Sequence, residues 1–427
     1  MSVSTQRFLW AGGLPYLDGL TEALRSAVPT IEAHECVGSF RRLCATVGNL
    51  DVLLKTVDPE RLSRDLGACF GKERIRREKD GSLLLHGSVS GRASKQAIPF
   101  RLLASTPDFW GTALFFHTGP AGHLEEVVRR AACRGIAIAP GKFPACEETD
   151  IYAAAALPWI PPELRDIPDV CDWADNGSLT DRIRDLVGVN DLQGDLHMHT
   201  TWSDGSNSLE EMCTAARDRG LRYLVITDHT ERVFVAGGLP EEQTLRQWDE
   251  IDALNNRLDG LTVLKGVECD VLENGDLDLS DHALARADWV VASLHFELDQ
   301  PRGQITRRFL KAMEHPEVCV IGHPTGRIIG HHPGCDFDAE TIFKAARETG
   351  TFLELNSNPR RLDLDDVHCR SARERGIPIV LSSDAHSADG LDVVRFGINQ
   401  ARRGALGKSD VVNTFSWEDV KKRSKKG

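Results

Sequence analysis

From about residue 190 onward, short apolar runs alternate with amphipathic ones. Six runs, "LRYLVITDH", "LTVLKGVEC", "ADWVVASLH", "VCVIGHP", "TFLELNS" and "IPIVLSSDAH", are each closed by a polar residue. Their length and apolar content predict buried strands. Between several of them the apolar positions recur at helical spacing. "SLEEMCTAARDRG" sets Ser208 and Glu211 in capping-box spacing and stops at Gly220, and "DAETIFKAARETG" repeats the design from Asp338 to Gly350. With "GDLHMHT" as a first strand, about seven βα units result, close in size to a (β/α) barrel. A doubly wound open sheet is the alternative arrangement. The predicted class is α/β.

The first part reads differently. Helical runs such as "LDGLTEALRSAV" and "HLEEVVRRAACRG", the second stopped by Gly135, flank strand-like runs such as "SLLLHGSVS" and "AIPFRLLAS", an α+β pattern. The Pro- and Asp-rich passage "ALPWIPPELRDIPDVCDWADNGSLTDRI", 156–183, predicts a linker with short turns and a boundary near residue 185. The expected divisions are 1–105, 106–185 and 186–427. No internal repeat is found, and the basic end "KKRSKKG" is expected to be disordered. In "VGSFRRLCATVGNLDVLL", Val37 to Leu54, the closing apolar run predicts a buried strand. Asn49 and Asp51 stand two apart at its start, so their side chains point at one spot. Two aspartates there would suit magnesium and phosphate chemistry; this chain has one carboxylate and one amide.

Composition narrows the classes. At 427 residues, 41% hydrophobic and 27% charged, the chain suits two or three globular domains. No apolar run reaches the length of a membrane span. The start "MSVSTQRFLWAGGLPYL" lacks the basic-then-apolar order of a secretory signal, so a cytoplasmic location is expected. Eleven scattered cysteines without a C-x-x-C pair argue for reduced thiols rather than a disulfide framework or zinc knuckle. The net charge of −13 is uneven: residues 1–190 hold 22 Lys+Arg against 24 Asp+Glu, which leaves −11 for the rest. An acidic surface disfavours strong nonspecific binding to nucleic acid, but carboxylates gathered around cations raise the count without repelling phosphate. The one clearly basic segment, "GKERIRREKD" at 71–80, reads as a solvated turn between strands.

Functional groups of a barrel belong where its strands end, and the polar residues fall there. The first strand ends in His197 and His199, with Asp204 in the following loop. The others end in Asp228 and His229, Glu268, His295, His323, Asn356, and Asp384 with His386. Imidazoles mixed with carboxylates suit zinc, manganese or iron and are too nitrogen-rich for calcium. A lone histidine at a strand end is ordinarily a hydrogen-bonded structural residue. Six at successive strand ends, with three carboxylates, predict a multinuclear metal site. His34, His86, His117, His123, His282, His315 and His368 show no such placement, and His331 and His332 lie in a loop beside the rim where solvent exposure is the plainer reading.

The motifs "DLHMHT", "SDG", "ITDH", "GVE", "SLH", "GHPTGR", "LELN" and "SDAHS" resemble those of the PHP (polymerase and histidinol phosphatase) superfamily. Their wording is closest to the C-terminal domain of bacterial family-X DNA polymerases, over most of residues 190–400. The resemblance implies a distorted (β/α)7 barrel with a trinuclear centre. His197, His199, Glu268 and Asp384 would hold one metal and carry catalysis through the water it activates. Glu268 would bridge to a second, held also by His295 and His323, and Asp204, His229 and His386 would hold a third. All nine are present.

"GSFRR", "WGTALFFHTG" and "DIYAAAALPWIPPELR" resemble the palm and thumb of the same polymerases, with Ser39 and Arg42 as phosphate contacts. Residues 1–105 are thus expected to be palm-like and 106–185 thumb-like. The match begins near residue 7, so the helical DNA-binding domain usual at the family's N-terminus is expected to be absent. The palm departs from the family pattern: its paired aspartates stand as Asn49 and Asp51, and its third falls at Pro99 in "IPFRLL". An inactive polymerase palm is expected.

Clustered metals serve phosphoester hydrolysis by lowering the pKa of bound water and stabilising phosphoryl charge. Arg327, in "GHPTGR", is a candidate phosphate clamp because its planar fork suits paired oxygens; a structural ion pair is the other reading. The resemblance implies a phosphoesterase with two or three divalent ions (Mn, Zn or Fe), acting on DNA as a 3′-5′ exonuclease and in related 3′-end processing. A small-molecule phosphatase, for a nucleotide, a sugar phosphate or a histidinol phosphate-like ester, is the alternative. A noncatalytic module binding DNA or a partner is a third reading, against which the full ligand set stands.

Overall fold

The computed structural model describes residues 7–77, 83–90 and 97–426. Residues 78–80 of the basic segment and 1–6 of the N-terminal stretch lie outside the described residues. The chain divides into two compact units, Met1–Arg184 and Asp185–Gly427.

Among the described residues the first unit carries seven strands: β1 (Phe8–Leu9), β2 (Ala33–Val37), β3 (Thr46–Val47), β4 (Leu50–Lys55), β5 (Ile75–Arg77), β6 (Leu83–Ser90) and β7 (Ala97–Ser105). β1 pairs with β3, and the others form one sheet in the order β2-β4-β7-β6-β5. β4 is buried along nearly its whole length because both faces are covered. Leu50, Val52 and Leu54 pack with Leu20, Leu24, Leu62 and Leu66 of two helices, while Leu53 packs with Trp110 and Leu114. A central strand covered on both sides reads as a continuous apolar run.

The passage 156–183, expected as a linker, is packed. Ile160, Leu164, Ile167, Val170 and Leu179 are buried, and Arg165 is 1% exposed. The anchor is Glu148, whose carboxylate accepts from Arg165 at 2.7 Å, Arg41 at 3.0 and 3.1 Å, and Trp159 Nε1 at 2.9 Å. Burial pushes this carboxyl up, but Arg165 and Arg41 outweigh it and hold it at about 2. A depressed carboxylate stabilises fully above its ordinary value of 4.5, and the contribution is lost as pH falls from there toward 2. Glu148→Gln should cost about 3 kcal/mol at neutral pH, because Arg165 is left buried beside an uncharged partner. It should also flatten the acid limb, and urea unfolding at several pH values checks both effects.

The second unit is a nearly closed barrel of seven parallel strands. They are β8 (Gly194–Asp195), β9 (Tyr223–Ile226), β10 (Thr262–Asp270), β11 (Trp289–Ser293), β12 (Val320–Ile321), β13 (Phe352–Asn356) and β14 (Ile379–Ser382), and they lie side by side in chain order. A parallel bridge from Met198 to Ala385 joins the ends just beyond β8 and β14. This bears out the barrel against the open sheet. The predicted helices form as Leu209–Asp218, with Ser208 and Glu211 in a capping box, and Ala339–Thr349, capped by Asp338 and stopped by left-handed Gly350.

Alternation along each strand separates two surfaces. Leu224, Ile226, Val263, Val267, Val290 and Leu353 face the outer helices with Trp248, Phe309 and Phe343. Tyr223, Val225, Leu264, Trp289, Phe352 and Val380 fill the barrel, where Val412 and Val420 of the C-terminal segment join them. That segment plugs the end where the strands begin. Asn413 accepts from Leu381 N–H at 3.1 Å and donates to Gly194 O at 2.8 Å. The expectation of a disordered basic end fails for the described residues. Trp417–Arg423 is helical, and Lys426 Nζ donates to Leu284 O at 3.0 Å and Lys425 Nζ to Met313 O at 2.5 Å. Both ammonium groups sit on carbonyls at helix C-termini, where the helix dipole favours positive charge.

Candidate metal centre

Along the inward face of the strands the side chains change from apolar to polar toward the C-terminal rim. β10 runs Leu264, Gly266, Glu268, Asp270; β13 runs Phe352, Glu354, Asn356; β14 runs Val380, Ser382, followed by Asp384. Because the strands are parallel, these polar ends converge. Glu268, 1% exposed, is the hub. Its Oε2 lies 3.3 Å from His197 Nε2, 3.5 Å from His199 Nε2 and 3.0 Å from His229 Nδ1. Its Oε1 lies 3.3 Å from His295 Nε2 and 2.8 Å from His323 Nε2. Asp384 Oδ1 is 3.2 Å from His199 Nε2 and 3.8 Å from His197 Nε2. Asp204 lies 3.3 Å from His386 Nε2 and 3.7 Å from His229 Nε2. All nine expected ligand residues are therefore brought together.

The far ring nitrogens are fixed. His197 Nδ1–H donates to Glu354 at 2.7 Å, His295 Nδ1–H to Asp270 at 3.0 Å, and His386 Nδ1–H to the Asp384 carbonyl at 2.9 Å. A carboxylate or carbonyl behind an imidazole is the usual support for a metal-ligating histidine. The near atoms lack such partners: His197 Nε2, both ring nitrogens of His199, His229 Nδ1 and Glu268 Oε2 are buried without a hydrogen bond. Buried polar atoms are rarely left so, and here they face one another. The donor set fits divalent cations. Three groups, His199–Asp204–His229–His386, His197–His199–Asp384 and His229–Glu268–His295, each have donor atoms within 4.8 Å of one another and could hold a metal ion.

The backbone bends to make this arrangement. Asp384 has φ 52° and His323 φ 23°, positive values that non-glycine residues adopt at a cost. Burial opposes charge on every group, but the opposite charges prevail for most. Glu354 and Glu268 hold His197 well above its ordinary value, Glu268 and Asp270 lift His295 to about 10, and the histidines keep Glu268 and Asp384 well below theirs. Burial lowers His199 to about 4, with His229 adding to the effect.

Sequence reading missed Glu354, Asp270 and Asp195, the last of which accepts from Ser383 N–H at 3.2 Å and is pushed up to about 6 by burial. Asp228, read at a strand end, is turned to other work. It accepts from Thr200 N–H at 2.8 Å, Thr200 Oγ1 at 2.7 Å and Ser203 N–H at 3.2 Å, and so clamps the loop that carries Asp204. Asn356 donates to Asp384 at 2.8 Å. Arg327 donates to the carbonyls of Arg361, at 2.7 Å, and Leu362, and to Asp365 at 3.3 Å. Its guanidinium braces that loop, the structural alternative to a phosphate clamp.

In the first unit, Asn49 and Asp51 do share one spot, where the amide donates to the carboxylate. Asp51 is opposite Arg101 on β7, and the guanidinium grips it with Nε at 2.6 Å and Nη2 at 2.5 Å. Pro99, two residues before Arg101, stands on the same face. Of the candidate phosphate contacts, Ser39 sits on the short helix Gly38–Arg41, and Arg42 pairs with Asp166 at 3.1 Å and donates to the Thr118 carbonyl.

Residues 195–358 match the PHP domain family. The chain is 36% identical over 392 residues to a Bacillus subtilis (strain 168) protein named DNA polymerase/3′-5′ exonuclease PolX, covering 90% of this chain and 67% of that one. The chain belongs to the PolX family. This PolX-family chain is also 30% identical over 233 residues to a "probable phosphatase" of Thermoanaerobacter sp. (strain X514), covering 52% of this chain and 89% of that protein. A "probable phosphatase" of Syntrophotalea carbinolica is 28% identical over 231 residues, covering 51% of this chain and 90% of that protein. A PHP domain and relatives so named support a hydrolase. The eleven cysteines of this PolX-family chain are all free thiols, and no helix among the described residues is long and apolar enough to cross a membrane.

Proposed function

We propose that the chain is a metal-dependent phosphoesterase that processes DNA 3′ ends as a 3′-5′ exonuclease. The observation that supports this most is one buried carboxylate, Glu268, within 3.5 Å of five imidazoles at the rim of a PHP barrel. His197, His199, Glu268 and Asp384 would hold one cation, Glu268, His295 and His323 a second, and Asp204, His229 and His386 a third. Bound cations would acidify water and neutralise charge on the phosphoryl oxygens. The chain's own residues supply position. Glu354 and Asp270 orient His197 and His295, Asn356 holds Asp384, and Asp228 fixes the Asp204 loop. Manganese, zinc and iron all suit this donor set. The first unit would be a palm- and thumb-like region that has lost polymerase chemistry. The DNA substrate follows the activity in the name of the Bacillus relative, which matches 90% of the chain.

A small phosphate ester is the second reading, favoured by the phosphatase-named relatives that match about half of the chain. Salt separates the two. With about three backbone phosphates contacted on a single strand, DNA cleavage should weaken roughly tenfold for each threefold rise in salt. A small monoester bound mainly at the metals should respond far less. Turnover of both substrates across a salt series is the measurement. Equal rates on a free nucleotide and a DNA end, with no salt effect on either, would favour the small-molecule phosphatase.

A further inference from the structure

Five residues beyond His229, the chain carries two adjacent exposed apolar side chains, Phe234 at 71% and Val235 at 75%. Apolar exposure concentrated beside a functional site asks for a reason. The Phe234 ring lies nearly parallel to that of Phe296, at 9°, with centroids 6.5 Å apart. Phe296 directly follows His295, so both rings are attached to backbone that also carries the cluster.

Both attachments are firm. Thr230 N–H donates to Glu268 O at 3.2 Å and Leu239 N–H to His229 O at 2.7 Å, so the excursion through Phe234 leaves the rim and returns to it. Its return needs glycine: a Cβ on Gly238 would fall 2.0 Å from Thr230 O. On the other side Arg308, 2% exposed, donates to the Phe296 carbonyl at 3.1 Å and to Leu272 O at 2.9 Å. The Arg232 guanidinium covers the Phe296 ring at 4.9 Å. One ring is thus backed and fixed, and the other is placed beside it but left largely bare.

A bare aromatic face next to a cluster suited to phosphate matches a ligand that joins a phosphate to a flat aromatic group. A nucleotide has that form, whereas a sugar phosphate has no face to stack. We infer that Phe234, backed by Phe296, stacks the nucleobase of the 3′-terminal nucleotide whose phosphodiester lies at the cluster. This rests on the phosphoesterase reading and names its substrate class. Stacking of this kind accepts any base, because every base presents a π-face.

The test uses the full chain with manganese and three substrates: a short single-stranded oligodeoxynucleotide, the same strand with an abasic 3′-terminal nucleotide, and glycerol phosphate. Phe234→Ala should raise KM for the ordinary end about tenfold, with kcat little changed. It should leave the abasic end and glycerol phosphate unaffected, and Phe234→Trp should restore the ordinary end. An equal effect on base-bearing and abasic ends, or no effect on any substrate, would overturn the inference. A second readout does not need hydrolysis. A strand ending in 2-aminopurine behind a phosphorothioate linkage should be quenched on binding wild-type protein, and the quench should be lost in Phe234→Ala. That result upholds the platform even if no ester is turned over. No quench with wild-type protein, or an unchanged quench in the variant, refutes it while leaving the phosphoesterase reading to its own assays.

Discussion

Replacing Glu268 by alanine should lower phosphoester hydrolysis more than about a hundredfold, beyond the loss usual for a residue that only supports a metal ligand. Bound divalent metal should fall with it. This one carboxylate touches the imidazoles of His197, His199, His229, His295 and His323, so no other residue in the cluster can replace it. Its removal leaves those rings without the charge that holds cations among them, and metal affinity is lost with the ligand. Elemental analysis of protein purified without chelator, beside turnover of DNA ends, checks both effects. Glu354→Ala, which removes the acceptor behind His197 Nδ1 and the His323 N–H but no ligand atom, should cost less, about 10- to 100-fold. Unchanged metal content and rate in Glu268→Ala would remove the cluster from the chemistry.

The second large effect is an absence. Protein whose hydrolytic site is disabled by His197→Ala should extend no primer, with magnesium or manganese, and adding Asn49→Asp should not change that. Two-metal nucleotidyl transfer needs carboxylates that hold both ions around the attacking and leaving oxygens. Asn49 and Pro99 supply none, and Asp51 is gripped by Arg101. A guanidinium in that place repels an incoming cation by about 4 kcal/mol per unit charge at 4 Å and an effective dielectric of 20. Asp51→Asn should leave hydrolysis nearly untouched. Templated extension that disappears with Asp51→Asn would show a working palm.

The strand ends were legible because each apolar run closes on a polar residue, and parallel strands bring such ends to one rim. Glu354, Asp270 and Asp195 were hidden one alternation away from residues that drew attention. Glu354 is two before Asn356, Asp270 two after Glu268, and Asp195 two before His197, so each shares an inward face with a conspicuous neighbour. Reading that parity through "LELN", "GVECD" and "GDLH" would have found them. Asp51's partner was hidden for another reason: only the register of β4 against β7 shows that Arg101 stands opposite. The barrel plug was not legible at all. Val412, Phe415, Trp417 and Val420 follow no helical or strand period, and the hollow they fill exists only once seven strands have closed. The lysines beyond them read as a solvated tail until the helix ends they cap are in place.

The seam between β8 and β14 decides when the centre can exist. His197 and His199 stand on one side of it and Asp384 on the other, joined by bonds from His199 N–H to Ala385 O at 2.8 Å and from Asp384 N–H to His197 O at 3.0 Å. The two sides are separated by nearly the whole second unit, so a ribosome must have passed residue 386 before the ligands can meet. A chain that stops just short of residue 384 therefore carries most of the histidines but no assembled site. The assembled cluster arrives last, with the finished barrel.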